Sequence, residues 1–179
     1  MLTAAVAGAL EVRAAGDGGA VLTGSFPYNT ETELAPGRRE VFAQGSLEAR
    51  GTVYLLSQHA FAKPLAISGR SLDLRQEPDG LAFEARISPA IAATTHGADA
   101  LTLIREGVAV GVSPGFVVER GGERVERRAE GLLRTITRAV LHELSIVTRP
   151  AYSAAEVEAR NWRPPMPERA EMHAAMRWR

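Results

Sequence analysis

The sequence contains no cysteine, which removes a thiol nucleophile, a disulfide framework and any thiolate-held metal, and fits a reducing compartment. An excess of one charge is equally absent. Lys+Arg and Asp+Glu both number 21, for a formal net charge of +0 at pH 7, so no net field draws the chain to nucleic acid or to an anionic membrane. No apolar run approaches the ~20 residues that cross a bilayer as a helix. The apolar stretch Met1 to Leu10 lacks the basic flank and the length of a secretory signal. The expectation is a soluble, cytosolic protein with no membrane or nucleic-acid partner, and nothing calls for a metal or a cofactor.

What is present is an ordinary globular balance: 179 residues, 45% apolar and 23% charged. That is enough for one compact domain burying roughly 70% of its unfolded surface without a covalent staple. No repeat of fixed period occurs. Ala9 to Ala14 and Ala20 to Phe26 flank Gly16-Asp17-Gly18-Gly19, which predicts a hairpin. Pro27 to Arg39 reads as a polar loop turning at Pro36-Gly37. Strands are predicted for Thr52 to Leu56, running into Ser57-Gln58-His59, and for Gly80 to Ile87, where apolar and charged residues alternate. Ala100, Leu101 and Ile104 share a helical face within Ala98 to Glu106, and Gly107 is a natural stop. Val108 to Ser113 alternates again, and after the Gly121-Gly122 turn, Leu132 to Thr137 and Val140 to Thr148 read as two more strands. About seven strands with few helices predict a mainly β fold, with a closed barrel or a sandwich in the lead.

Past Pro150 the pattern changes. Ser153-Ala154-Ala155-Glu156 is a capping box opening a short helix, Arg163-Pro164-Pro165-Met166-Pro167 is a linker, and Arg169 to Arg179 is an amphipathic helical stretch. The expected division is a domain over 1–152 and an appended helical tail over 153–179.

Chemistry is best sought around Ser113. Val108, Val110 and Val112 alternate with Ala109, Gly111 and Ser113, which assigns the valines to a core face and leaves the opposite face cleared of bulk around one hydroxyl. An extended substrate approaching a nucleophile needs that clearance. Gly115 offers an unhindered backbone N–H, whereas Pro114 has none to give, so an oxyanion donor cannot come from the residue directly after Ser113. The plain alternative is a serine at a strand end beside a turn.

A serine nucleophile needs a base, and imidazole is the usual one. His59 follows an apolar strand and precedes Ala60-Phe61, which holds it at the domain's surface, and His142 lies within a strand, sharing a face with Leu144 and Ile146. His96, in a polar turn, and His173, in the tail, read as structural. Glu143 is a carboxylate inside the apolar run Val140 to Val147, costly if buried without a partner. It faces solvent, pairs with Arg138 or Arg149, or orients a histidine, with His59 the partner that would complete a triad. Gly111-Val112-Ser113-Pro114-Gly115 also matches the G-x-S-x-G nucleophile elbow, but that elbow needs a helix directly after the serine, and Phe116-Val117-Val118 and Gly121-Gly122 read as strand and turn.

The order of these segments resembles the prohead (capsid maturation) proteases of tailed phages. The likeness is carried by His59, then Gly111-Val112-Ser113-Pro114-Gly115-Phe116, then Glu143-Leu144-Ser145-Ile146-Val147-Thr148-Arg149-Pro150-Ala151. Leu22-Thr23-Gly24-Ser25-Phe26, Gly80-Leu81 and Leu103-Ile104-Arg105-Glu106-Gly107 fit the same pattern. The compact size and Ala/Arg-rich composition would also suit the prohead protease of a gene transfer agent.

The resemblance implies a serine endopeptidase similar in fold to herpesvirus assemblin, a closed β-barrel with flanking helices. It maps the nucleophile to Ser113, the base to His59 and the third member to Glu143. The herpesvirus relatives use a second histidine there, which keeps His142 in reserve; only one of two adjacent strand residues can serve. It further implies an oxyanion held by backbone N–H groups near Gly115 with help from Arg149. Implied substrates are capsid or scaffold protein inside the assembling procapsid, and the protease itself, with Ala159 to Met176 a natural place for self-cleavage. Pairing into a dimer or a higher assembly is implied as well. Two other readings stand beside this one: a non-catalytic capsid-assembly or scaffolding module that retained the fold, and a small serine esterase.

Overall fold

The computed structural model describes residues 10–148. Arg149, His173, the 152/153 boundary and the whole predicted tail lie outside them. In chain order the described strands are β1 (Leu10–Ala14), β2 (Ala20–Pro27), β3 (Thr32–Ala35), β4 (Arg38–Phe42), β5 (Leu47–Glu48), β6 (Tyr54–Ser57), β7 (Ala60–Ile67), β8 (Leu72–Gln76) and β9 (Gly80–Ile87). Helices α1 (Pro89–Ala92) and α2 (Thr95–Arg105) follow, then β10 (Gly111–Val118), β11 (Glu123–Arg128), β12 (Gly131–Ile136) and β13 (Ala139–Val147).

The strands form three sheets. The first is antiparallel throughout, in the order β1-β2-β9-β8. Its opening hairpin is the predicted one, with the Asp17 carboxylate accepting the Gly19 N–H at 2.9 Å across the turn. Leu81, Phe83, Ala85 and Ile87 of β9 are all buried in the core, as their alternation requires. The second sheet runs β10-β13-β6-β7, with β5 pairing the β13 edge that β6 also uses. The third runs β11-β12-β4-β3. β13 is parallel to β5 and β6, and β12 to β4; the other pairs are antiparallel.

An edge-to-face chain of phenylalanines joins the three. Phe42 of β4 lies 5.0 Å from Phe26 of β2 and 5.0 Å from Phe116 of β10, ring centre to ring centre, a geometry worth about 0.5–1.5 kcal/mol per pair beyond burial. Gln76 makes a polar tie, accepting from the Tyr28 hydroxyl at 2.8 Å and donating to the Leu47 carbonyl at 2.6 Å. Helix α2 starts at an N-cap, Thr94, whose hydroxyl accepts the Gly97 N–H at 3.1 Å. It buries Ala100, Leu101 and Ile104 and stops before Gly107, which takes the left-handed φ of 66° that such an ending favours.

Several expectations need correction. The fold is mainly β with few helices, but the closed barrel of about seven strands is replaced by thirteen strands in three sheets, and among the described residues no sheet closes on itself. Pro27 to Arg39 holds β3 and the start of β4, hairpinned about Pro36-Gly37. Val108 and Val110 are exposed and Ala109 is buried, because the chain turns after α2, with the Val108 and Ala109 N–H groups bonded back to the Leu103 carbonyl, and the strand begins only at Gly111. The strands without a predicted counterpart are short, edge-lying or charged, and β11 reads Glu-Arg-Val-Glu-Arg-Arg with no alternation to detect.

Candidate active site

The site is built on the face of β10 and β13 that turns away from the core. Val112, Leu144 and Ile146 belong to the core, so Ser113, Gly115, Glu143 and Ser145 point the other way. The antiparallel register sets Ser113 opposite Ser145 and Gly115 opposite Glu143, and directly paired residues carry their side chains on one face about 4.5–5.5 Å apart. Beyond Glu143 the register slips, so that Phe116 pairs with Leu141 and His142 is the extra residue of a β-bulge. That bulge returns Leu141 to the core and leaves His142 exposed. His142 therefore does not share the face of Leu144 and Ile146, and it stands outside the polar network around Glu143.

His59 reaches this face from the next strand pair. β6 and β7 are joined by the two-residue turn Gln58-His59, with Ser57 paired to Ala60. Both turn residues have left-handed backbones, φ 55° and 57°, as primed hairpin turns demand, although such turns favour Asn and Gly. For residues with a Cβ this costs about 1–2 kcal/mol each. Two hydrogen bonds from the turn to β13 hold it: Gln58 N–H to the Ile146 carbonyl at 3.0 Å and His59 N–H to the Ser145 hydroxyl at 3.0 Å.

The imidazole is thereby delivered to Glu143, 84 residues away in sequence, with Nδ1 2.7 Å from Oε1. The other carboxylate oxygen, Oε2, accepts the Ser145 hydroxyl at 2.6 Å. Glu143 is neither on a solvated face nor paired with Arg138: its side chain is 6% exposed, against 27% for His59. A carboxylate can only accept, so Nδ1 carries the proton in this contact, and in the neutral ring that leaves Nε2 as the acceptor. Nε2 is shielded from solvent and has no hydrogen-bond partner among the described residues. A buried unpaired nitrogen costs about 1–3 kcal/mol and calls for an explanation. Ser113, 6% exposed, is the hydroxyl-bearing residue on the neighbouring strand, opposite Ser145, and its Oγ makes no hydrogen bond to Nε2.

Gly115 has a use that its sequence context did not reveal. A Cβ built there would lie 2.2 Å from Glu143 Oε1 and 2.8 Å from its Cδ and Cγ, so the missing side chain is the space the carboxylate occupies. Ser145 joins the site as well; its sequence signal is the two-residue spacing from Glu143, which puts both on one strand face. His96, in the first turn of α2, donates Nε2–H to the Pro64 carbonyl at 3.1 Å. After Ser113 the chain continues as strand to Val118 with no helix, unlike a nucleophile elbow. Among the described residues no group of three His, Asp or Glu side chains is placed to hold a metal ion, and no helix is long and apolar enough to cross a membrane.

Compared with known families, the chain matches the one described as caudovirus prohead serine protease over residues 9–166. No curated protein and no solved structure matches it.

Proposed function

The chain belongs to the caudovirus prohead serine protease family, which makes it a serine peptidase, and from that premise we propose that Ser113 is its nucleophile, His59 its general base and Glu143 the acid that orients the imidazole. The observation that carries this reading is the His59 Nε2 atom, buried and without a partner among the described residues, while Nδ1 meets a buried carboxylate.

In the reaction, Ser113 Oγ attacks a peptide carbonyl as His59 Nε2 takes its proton, and Glu143 stabilises the resulting imidazolium. The imidazolium then protonates the departing amine, leaving an acyl-enzyme that water, activated by the same histidine, hydrolyses. Backbone N–H groups near Gly115, with help from the Arg149 charge, take up the developing oxyanion. The substrates are capsid or scaffold proteins, cut inside the assembling procapsid within the host cytoplasm. Self-cleavage falls in the tail past 152, around Ala159 to Met176. Confinement supplies the local concentration that a weak intrinsic affinity requires, and two or more copies act together there.

Co-expression with a capsid protein of the same particle tests the reading. Ser113→Ala is expected to lower processing of that protein and of the protease itself by at least about 10²-fold, read as band shifts and by mass spectrometry. Processing that persists in the variant would overturn the assignment and favour a retained fold without this chemistry.

A further inference from the structure

We propose that Ser145 is a positioning residue of this site, its one hydroxyl tying the carboxylate that orients the base to the backbone that carries the base; the inference rests on the assignment of Ser113, His59 and Glu143 given above. The directions of its bonds are forced. The His59 N–H can only donate, so Ser145 Oγ accepts it at 3.0 Å. A hydroxyl has a single proton to give, and it goes to Glu143 Oε2 at 2.6 Å. Glu143 Oε1 then meets His59 Nδ1 at 2.7 Å. Three hydrogen bonds thus close a ring through both ends of His59, its amide and its imidazole, with Ser145 and Glu143 as the two links.

Ser145 is fully buried, so no solvent competes for either bond. The ring acts where, among the described residues, two consecutive non-glycine residues, Gln58 and His59, hold left-handed φ. Gln58 is anchored by the Ile146 carbonyl and His59 by Ser145. Without Oγ, the histidine amide loses its acceptor and Oε2 its donor in one step. Both the orientation of the carboxylate and the position of the imidazole are then free to change. Because Ser145 pairs with Ser113 across the strands, the same residue that fixes the base also lies against the nucleophile's backbone. A plain structural serine satisfying a turn would explain the bond to His59 N–H, but not why its proton is spent on the carboxylate.

The test uses the full-length protein and a fluorophosphonate, which modifies activated serines, with adduct formation followed by intact mass. Ser145→Ala is expected to lower the maximal modification rate at Ser113 by about 10-fold or more with the half-saturating concentration unchanged, and to stay folded with a cooperative melt at a reduced temperature. In a His59→Ala background the same change is expected to cost nothing further, since a residue acting through His59 has nothing left to act on. An unchanged rate in Ser145→Ala, an equal loss in the His59→Ala background, or a variant that no longer folds would each overturn the proposal, the last by making Ser145 structural. No adduct on Ser113 of the wild type would instead count against the assignment of the site itself.

Discussion

Gly115 and Glu143 show how one residue's lack of atoms serves another's chemistry. The carboxylate lies across the strand where a methyl group would stand 2.2 Å from its Oε1, closer than any real contact allows. Gly115→Ala keeps the backbone N–H, so it leaves an oxyanion donor in place while displacing Glu143. The expected result is a loss of capsid-protein processing of about 10²-fold with a stability cost of about 1–3 kcal/mol from overpacking, measured by co-expression and thermal melting. A Gly115→Ala protein of full activity would show that Glu143 need not sit there. The candidate residues themselves were legible in the sequence, because a carboxylate in an apolar strand and a serine on a cleared strand face are chemical anomalies. The packing of Gly115 against Glu143 was not, since it depends on the register between β10 and β13, which strand sequences do not display.

At the level of elements, irregularities do the positioning. The bulge at His142 lets β13 give Leu141, Leu144 and Ile146 to the core and Glu143 and Ser145 to the site, a division that strict alternation forbids. Reading strict alternation from sequence is the reason His142 is misassigned to the apolar face. Strands with clear alternation, such as β9, were legible; β11, held by its ladder with β12 and by the Glu123–Arg134 pair between the two strands, was not.

In the third sheet, β12 carries Arg134 between Glu40 of β4 at 2.8 Å and Glu123 of β11 at 2.6 Å. Burial pushes the Glu40 carboxyl above the ordinary carboxylate range, Arg134 pulls it back, and Glu123 adds to the push. A raised carboxyl favours the fold most when protonated. Its contribution is therefore full below the unfolded-state value and is lost as pH rises through the folded one. Arg134→Met removes the restraining charge, so the folded value climbs further and the loss grows. The variant is expected to be destabilised by about 3–5 kcal/mol at neutral pH, with the deficit in melting temperature smaller near about pH 5 than near about pH 8. A deficit independent of pH would mean that Glu40 does not sense Arg134.

Across the whole molecule, the site exists only because distant segments are brought together. Residues 57–60, 111–118 and 139–147 belong to one sheet, and that sheet is fixed to the other two through Phe26, Phe42 and Phe116. The mainly β class followed from the many short strands and turn residues. The grouping into three sheets did not, because pairings such as β4 with β12 and β6 with β13 join strands far apart in sequence, which no local pattern encodes. The central claim is that this long-range assembly makes the Ser113 hydroxyl a nucleophile served by His59. It is tested most directly by treating the protein with a fluorophosphonate and locating the adduct by peptide mass spectrometry. A single adduct on Ser113, formed in the wild type and lost in His59→Ala, is the predicted result; an adduct elsewhere, or undiminished labelling without His59, would contradict it.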